Sequence, residues 1–320
     1  MCSGFFRAKQ HVSMAPLTRW MKRGVEFMGR QWNLFDIASL VVVLSLHLLA
    51  LLAPVHFSWG ALWLAFALYV VTGLGVTLGF HRSLAHRSFK LRRWLEYFFV
   101  YCGVLTLQGS PIEWVSTHRY HHQFTDTKKD PHSPLMGFWF SHIGWILNHS
   151  FRFEIYERRL KNVDDLKRQP YYMFLHRTYL LHSALLGVLL YVIGGLPYFV
   201  WGMGVRTVIL YHVTFSVNSI GHIWGKQVWH TGDLSRNNWL LALPTLGEGW
   251  HNNHHAFDYS ARQGLEWWQI DITWYLIRFL QVVGLATDVK TPTETQKKRK
   301  ALHNASNLEK NKSKVSNGKF

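Results

Sequence analysis

The sequence predicts an all-α integral membrane protein, with four transmembrane helices in two hairpins and a cytoplasmic helical cap. Two observations predict it. Four long apolar runs come in two pairs, and neither loop joining the members of a pair carries Lys or Arg. Three histidine clusters then fall, by charge counting alone, on one side of the membrane. The overall apolar fraction of 48% is ordinary, so the uneven distribution carries the signal. Sixteen Trp, 13 Tyr and 21 Phe suit a membrane–water interface.

The elements follow in order. Residues 1–33 form a basic cytoplasmic segment carrying Arg7, Lys9, Arg19, Lys22, Arg23 and Arg30, with no secretory signal pattern. The membrane domain runs over residues 34–290. Its first run, Leu34 to about Leu52, is close to the ~20 residues that cross a bilayer. After a turn at Pro54–Trp59 a second run reaches Phe80, so His81 is expected just outside the span on the cytoplasmic side. Residues 94–110 are apolar but short, with Glu96 inside, and read as an amphipathic or re-entrant segment. Residues 111–172 are polar and turn-rich, a cytoplasmic block. Two further spans, about 174–194 and 198–221, meet at Gly194-Gly195-Leu196-Pro197. Residues 223–290 return to the cytoplasm, and 291–320, with eight Lys/Arg against two Glu, are expected to be a disordered basic tail.

The formal charge of +17 fits anionic lipid headgroups or an acidic protein partner. Nucleic acid is not expected, because the basic residues flank apolar spans instead of forming a reading surface. Two cysteines, Cys2 and Cys102, exclude a disulfide framework and a cysteine metal site.

The chemistry lies in the histidines. THRYHHQF places His118, His121 and His122 at offsets of three and four, which on a helix return to one face and aim three imidazoles at a common centre. The spacing recurs in WHNNHHAF as His251, His254 and His255, and GFHRSLAHRSF adds His81 and His86. Those last two stand roughly 140° apart on an ideal helix, so the helix ends there, distorts, or sends them to different metals. Asn218 and His222 follow at i and i+4 in VNSIGHIWG. Nine histidines, with Asn218 through water, are enough for two metal ions with open positions. An all-nitrogen set suits iron better than magnesium or calcium, and zinc offers no redox chemistry. An iron pair with O2 as co-substrate would remove hydrogen from the unactivated C–H bonds of a membrane-dissolved acyl chain.

HRSLAH, HRYHH, NSIGH and HNNHH together resemble the membrane fatty-acyl desaturases of the stearoyl-CoA Δ9 type, over roughly residues 35–290. EWVSTHRYHHQFTDTKKDPHSP, GFWFSHIGW, GEGWHNNHHAF and ARQGLEWWQID are most similar to the plant acyl-lipid and acyl-CoA branch. The resemblance implies that all nine histidines and Asn218 hold two Fe ions beside a kinked apolar tunnel. It implies that Gln108, Trp114 and Thr214 line the bend, and that Tyr69 and Gly73 stand near the closed end. The expected reaction is insertion of a cis double bond, of Δ9 type, into a saturated acyl chain on CoA or a glycerolipid. Ser116-Thr117 replace an Arg-Asp pair that contacts CoA in the animal enzymes, which favours the glycerolipid. The electron donor implied is cytochrome b5 in the endoplasmic reticulum membrane, with both termini cytoplasmic, or ferredoxin in a plastid.

Two other readings stand beside this one. A membrane di-iron lipid hydroxylase would use the same ligands, and a non-enzymatic metal-binding membrane protein would keep only the metal. Outside the clusters, His47, His176, His182 and His212 read as packed residues, while His132, His142, His149 and His230 are possible supports for the ligands. The topology makes a prediction of its own. Asn148-His149-Ser150 and Asn304-Ala305-Ser306 match the glycan acceptor pattern, yet both should face the cytoplasm and stay unmodified. A glycosidase-sensitive mass shift mapped to either site would overturn the orientation.

Overall fold

The computed structural model describes residues 29–148 and 160–301. Residues 1–28, His149 and Ser150 of the first acceptor pattern, and residues 302–320 with the second lie outside the described residues. The chain is mostly helical, and its strands are two residues each: β1 (Lys90–Leu91) pairs antiparallel with β2 (Ala286–Thr287). The helical expectation holds, with that small ribbon added to it among the described residues.

Helix α1 (Leu34–Leu51) opens on a capping box in which Asn33 and Asp36 satisfy each other's backbone N–H. Asp36 is fully buried there and is bonded by Arg30. Helix α2 (Trp59–Leu74) starts at Ser58, whose hydroxyl accepts from Ala61 N at 3.1 Å. It does not stop at Phe80 as the hydropathy suggests. It widens into a π-helix over Gly75–Ala85 and carries His81 inside it. Helix α3 (Arg93–Val104) buries Leu95, Phe99 and Cys102 and exposes Trp94, Phe98 and Tyr101, the amphipathic pattern expected of it. Helix α4 (Pro111–Phe124) begins at an N-cap, Ser110, followed by a proline at its first position. The short α5 (Phe138–His142) follows.

Among the described residues three helices are long and apolar enough to cross a membrane: Leu34–Leu51, Trp59–Ala85 and Pro170–Ile223. The third is folded back on itself. Gly194 (φ −140°, ψ 15°) and Gly195 (φ 64°, ψ −154°) leave helical geometry, so α6 (Pro170–Phe199) turns into a π segment (Val200–Val205) and α7 (Arg206–Ile223). Gly195 needs the positive φ, which glycine adopts without steric cost. The two arms pack closely: a Cβ on Gly202 would stand 2.6 Å from Leu190. Large apolar side chains such as Leu48, Val188 and Val192 remain exposed along these helices, a surface that suits lipid and not water.

Between them the helices bury two cores that carry the site. Phe80, Val100, Ile112, Val115, Tyr172 and Leu175 join the π-helix, α3, α4 and α6. Leu78, Phe99, Ala261, Ile277 and Leu280 join the π-helix and α3 to the cap. In the cap, α8 (His251–Ala256) carries the last histidine cluster, and α9 (Ile272–Val282) starts at Asp271, whose side chain accepts from Trp274 N. Beyond position 291, where disorder was expected, residues 294–301 are helical. A local capping box explains the start: Thr293 Oγ1 accepts from Gln296 N (3.2 Å) and Gln296 Oε1 from Thr293 N (2.8 Å).

The crossing of the π-helix and α3 is made by glycines. A Cβ on Gly75 would lie 2.2 Å from Gly103 N, and one on Gly103 would lie 2.8 Å from the Phe80 ring. Small residues let backbones approach where lipid gives no hydrophobic push. Gly75→Ala should therefore cost about 1–3 kcal/mol by overpacking. An unchanged melting temperature in detergent would count against this crossing as the fold's fixed point.

Candidate metal centre

The π-helix answers the question left by His81 and His86. Its i→i+5 bonds, including His86 N to His81 O at 3.1 Å, set residues five apart over one another. The two rings approach to 4.8 Å between centroids. The helix distorts, and the pair serves one cluster.

The other boxes divide. His118 and His122 join His81, His86 and His254 in one cluster, whereas His121 joins His222, His251 and His255 in a second. The expectation that the three histidines of α4 share one centre is thus corrected. The reason is rotation: at 100° per residue His118 and His122 differ by about 40°, but neighbours His121 and His122 differ by about 100°. The second box mirrors the first. Its i,i+4 pair, His251 and His255, goes to the second cluster, and His254 crosses to the first. Asn218 stands one helical turn before His222 and lines the cavities described below.

Within each cluster the Nε2 atoms converge. His86–His118 is 2.8 Å, His254–His122 2.9 Å and His81–His254 3.2 Å in the first. His222–His251 is 2.9 Å and His255–His251 3.1 Å in the second. Four of the nine rings have Nδ1 set against a carboxylate. His121 Nδ1 lies 3.0 Å from Asp130, His222 Nδ1 3.1 Å from Asp126, His255 Nδ1 3.0 Å from Asp233, and His81 Nδ1 2.7 Å from Glu248. Where Nδ1 carries the proton, Nε2 is a bare lone pair. In the second cluster His222 and His255 are both fixed this way, and His251 has only one Nε2 proton to offer between them. At least one contact is then lone pair against lone pair, and a cation resolves it. Adjacent ligands of an octahedral ion at about 2.1 Å stand about 3.0 Å apart, the spacing found here. The residues fit a metal.

Electrostatics keep the rings ready. Burial holds His86, His118, His122, His251 and His254 well below the ordinary imidazole value, and neighbouring imidazoles add to it. His255 is lowered to about 4, by burial that outweighs Asp233. At His121 burial acts the same way, but Asp130, Asp126 and Asp233 outweigh it and the net shift is upward. Neutral imidazole is the form that ligates metal. Beneath the first cluster, Arg82 is buried against Glu248 (3.0 and 3.1 Å) and Asp271 (2.9 and 3.0 Å). Burial alone would raise the Glu248 carboxyl; Arg82 and His81 outweigh it and hold it at about 2.

Two cavities adjoin the clusters. One, about 650 Å³ including its open mouth, is lined by Tyr69, Gly73, Val76, Leu210 and Leu246 and reaches His81, His118 and His251. The Tyr69 hydroxyl donates to Pro244 O across it. The other, about 1430 Å³ including its open mouth, is lined by Phe35, Val42, Tyr179, Leu180 and Gln108. They share Trp114, His118, Thr214 and Asn218. At that neck Gln108 donates to Thr214 Oγ1 (3.1 Å) and accepts from Trp114 Nε1 (3.4 Å), while the Trp114 ring stacks on His118. All five residues assigned to the substrate therefore border one or both of these cavities.

A model of the family described as fatty acid desaturase matches residues 57–281. The chain belongs to the fatty acid desaturase family. This desaturase is 59% identical over 284 residues to the palmitoyl-monogalactosyldiacylglycerol delta-7 desaturase, chloroplastic, of Arabidopsis thaliana, covering 88% of this chain and 76% of the relative. It is 57% identical over 273 residues to delta-9 acyl-lipid desaturase 1 of the same plant (85% and 89%). It is also 57% identical over 275 residues to icosanoyl-CoA 5-desaturase of Limnanthes douglasii (85% and 77%). Like these relatives the desaturase is an oxidoreductase of lipid metabolism.

Sequence reasoning missed the supports of this desaturase's histidines: Asp126, Asp130, Asp233, Glu248 and Arg82. A signal existed for some, since Asp126, Asp130 and Glu248 stand within nine residues of a cluster and such histidines commonly donate to a carboxylate. Of the suggested supports, His132 packs against His121 with tilted rings, 4.4 Å between centroids. His142 instead bonds His212, which bonds His47, away from the clusters. His176 bonds Ser110 and His182 bonds Thr178. Asp233→Asn should weaken metal retention 10- to 100-fold. Glu248→Gln should do more, because it also leaves Arg82 short of a counter-charge. Metal per protein after a chelator challenge measures both; unchanged content in either would refute the supporting role.

Proposed function

We propose that the protein inserts a cis double bond, at Δ9, into a saturated acyl chain, using O2 and two iron ions. In this reading His81, His86, His118, His122 and His254 hold one ion, and His121, His222, His251 and His255 hold the other with Asn218 beside it through water. The observation that carries the reading is the meeting of nine converging imidazoles with two adjoining, mainly apolar cavities. Iron supplies the redox chemistry with O2 that an unactivated C–H bond demands.

The chain's own residues do the rest. Apolar walls from Val76, Leu210 and Leu246 exclude water and hold the methyl end of the acyl chain. The polar neck of Gln108, Trp114 and Thr214 makes the chain bend beside His118, which fixes the methylenes presented to the metals. Tyr69 closes the far end. The four apolar arms cross the bilayer as four spans, with the histidine clusters in a cap on the cytoplasmic side. Names among the relatives include both lipid and CoA substrates. We infer a glycerolipid-bound chain here, because Ser116-Thr117 supply no cation for a CoA phosphate. Two relatives are named as chloroplastic; we infer the endoplasmic reticulum with cytochrome b5 as donor, or ferredoxin if the protein is plastidial.

Expression in a yeast lacking its own Δ9 desaturase, with double bonds mapped by mass spectrometry, tests this directly. Alcohol products would favour a hydroxylase, and no lipid product would sink the reading. The same assay tests the closed end. Each methylene buried is worth about 0.8 kcal/mol, roughly fourfold in preference per carbon. A Cβ on Gly73 would already stand 3.2 Å from Leu246 and 3.7 Å from Leu210. Gly73→Leu should therefore shift preference to shorter chains, and Tyr69→Ala should extend it to longer ones. An unchanged chain-length profile with evenly reduced turnover would reduce both residues to helix packing.

A further inference from the structure

Among the described residues two arginines are almost fully buried, Arg82 and Arg206. Arg82 faces two carboxylates. Arg206, in an apolar helix read as a span, forms no ion pair among the described residues. Its donors go to Gly202 O (2.8 Å), Leu105 O (2.8 Å) and, weakly, Met203 Sδ (3.8 Å). An intramembrane cation without a counter-charge is costly and marks function. What it meets is the C-terminal end of α3, where aligned peptide dipoles leave partial negative charge on the last carbonyls. That end needs partners where water is excluded. Gly103 O accepts from Thr106 Oγ1 (2.7 Å), Val104 O from Ser183 Oγ (3.4 Å), Leu105 O from Arg206, and Leu107 O from the Tyr211 hydroxyl (2.7 Å).

The turn that follows is strained. Leu107 (φ 59°) and Gly109 (φ 107°) both adopt positive φ, and Leu107 pays for a conformation that L side chains avoid. Between them stands Gln108, the residue of the neck. Helix α7 thus holds this turn at three successive points, with Arg206 on Leu105, Tyr211 on Leu107 and Thr214 on Gln108. Arg206 itself lines neither cavity.

We propose that Arg206 is a positioning residue for the position of the double bond. Through the Leu105 carbonyl it sets where Gln108 stands, and so which carbon of the bent chain faces the histidine clusters. The inference rests on the desaturase reading given above. Loss of the guanidinium frees the turn, and the acyl chain then slides along the neck by a carbon or more.

The test uses the full-length protein in the desaturase-deficient yeast, with double-bond position, protein abundance and iron per protein measured together. Arg206→Met should keep its iron, lose roughly tenfold or more in turnover, and spread the double bond over two or more adjacent positions. Normal iron with a single unshifted position overturns the proposal. So does loss of iron and product together, which would make Arg206 a folding residue. If Arg206→Met fails to accumulate, Tyr211→Phe decides, since it removes only the hydroxyl bonded to Leu107; a single unshifted position there overturns the proposal equally. Absence of any alkene from the unsubstituted chain is a separate failure, that of the desaturase reading itself.

Discussion

The structure depends on bringing imidazole nitrogens to about 3 Å from one another inside a protein. Lone pairs at that distance repel, and protonated rings would repel more strongly still. A cation between the rings relieves that repulsion, and the chain is built to favour it. Burial removes protons from most of the rings, and carboxylates against four Nδ1 atoms turn Nε2 inward. Those carboxylates need their own support, which Arg82 gives Glu248 and which backbone N–H groups give the others: Asp130 accepts from Asp126 N at 2.9 Å, and Asp126 accepts from Leu234 N at 2.6 Å. Asn252 and Asn253, between the histidines of the last box, tie α8 to the loop before it. Asn252 Oδ1 accepts from Val228 N and Trp229 N, and Asn253 Oδ1 from the Trp229 indole. The second box is fixed by its non-histidine residues.

The π-helix is the backbone form of the same constraint. An α-helix would send His81 and His86 about 140° apart. Widening the helix brings their rings together edge to face, and it also turns Arg82, one residue on, toward Glu248 and Asp271. Such helices are rare because their packing along the axis is poor. Here the distortion is held from outside: Gly75 and Gly79 let α3 lie directly against it, and Phe80, Leu78 and Leu84 are buried on its flanks. Sequence, backbone distortion and ligand geometry are one feature seen at three scales.

That view explains what was legible in the sequence. Apolar runs and their charge-free loops depend on local composition, so the helices fell near their expected limits, including the reversal at Gly194-Gly195. The histidine boxes were legible for the same reason. Their division was not, because whether His121 turns to His118 or to His251 depends on where α8 and α7 come to rest. The carboxylates were hidden for a related reason: Asp126 reaches His222 and Glu248 reaches His81, pairings that no local spacing announces. The end of α2 was misplaced because hydropathy falls at His81 while backbone hydrogen bonding does not. Even the tail's helix at 294–301 was a matter of reading charge and missing Thr293 and Gln296.

The last step is the junction of two chemistries. A metal centre of buried neutral imidazoles needs polar support on all sides, while an acyl chain needs an apolar path to it. The structure separates them by direction. Asp126, Asp130, Asp233, Arg82 and the asparagine ties line neither cavity. The cavities approach from the helices and meet the clusters at His81, His118 and His251. At the neck polar groups face the path as well, and there Gln108, Thr214 and Trp114 satisfy one another. A neck whose hydrogen bonds are already made does not need the substrate to complete them, so it imposes shape on a hydrocarbon without asking for a polar handle. That is the property a site must have if its substrate offers nothing but methylenes.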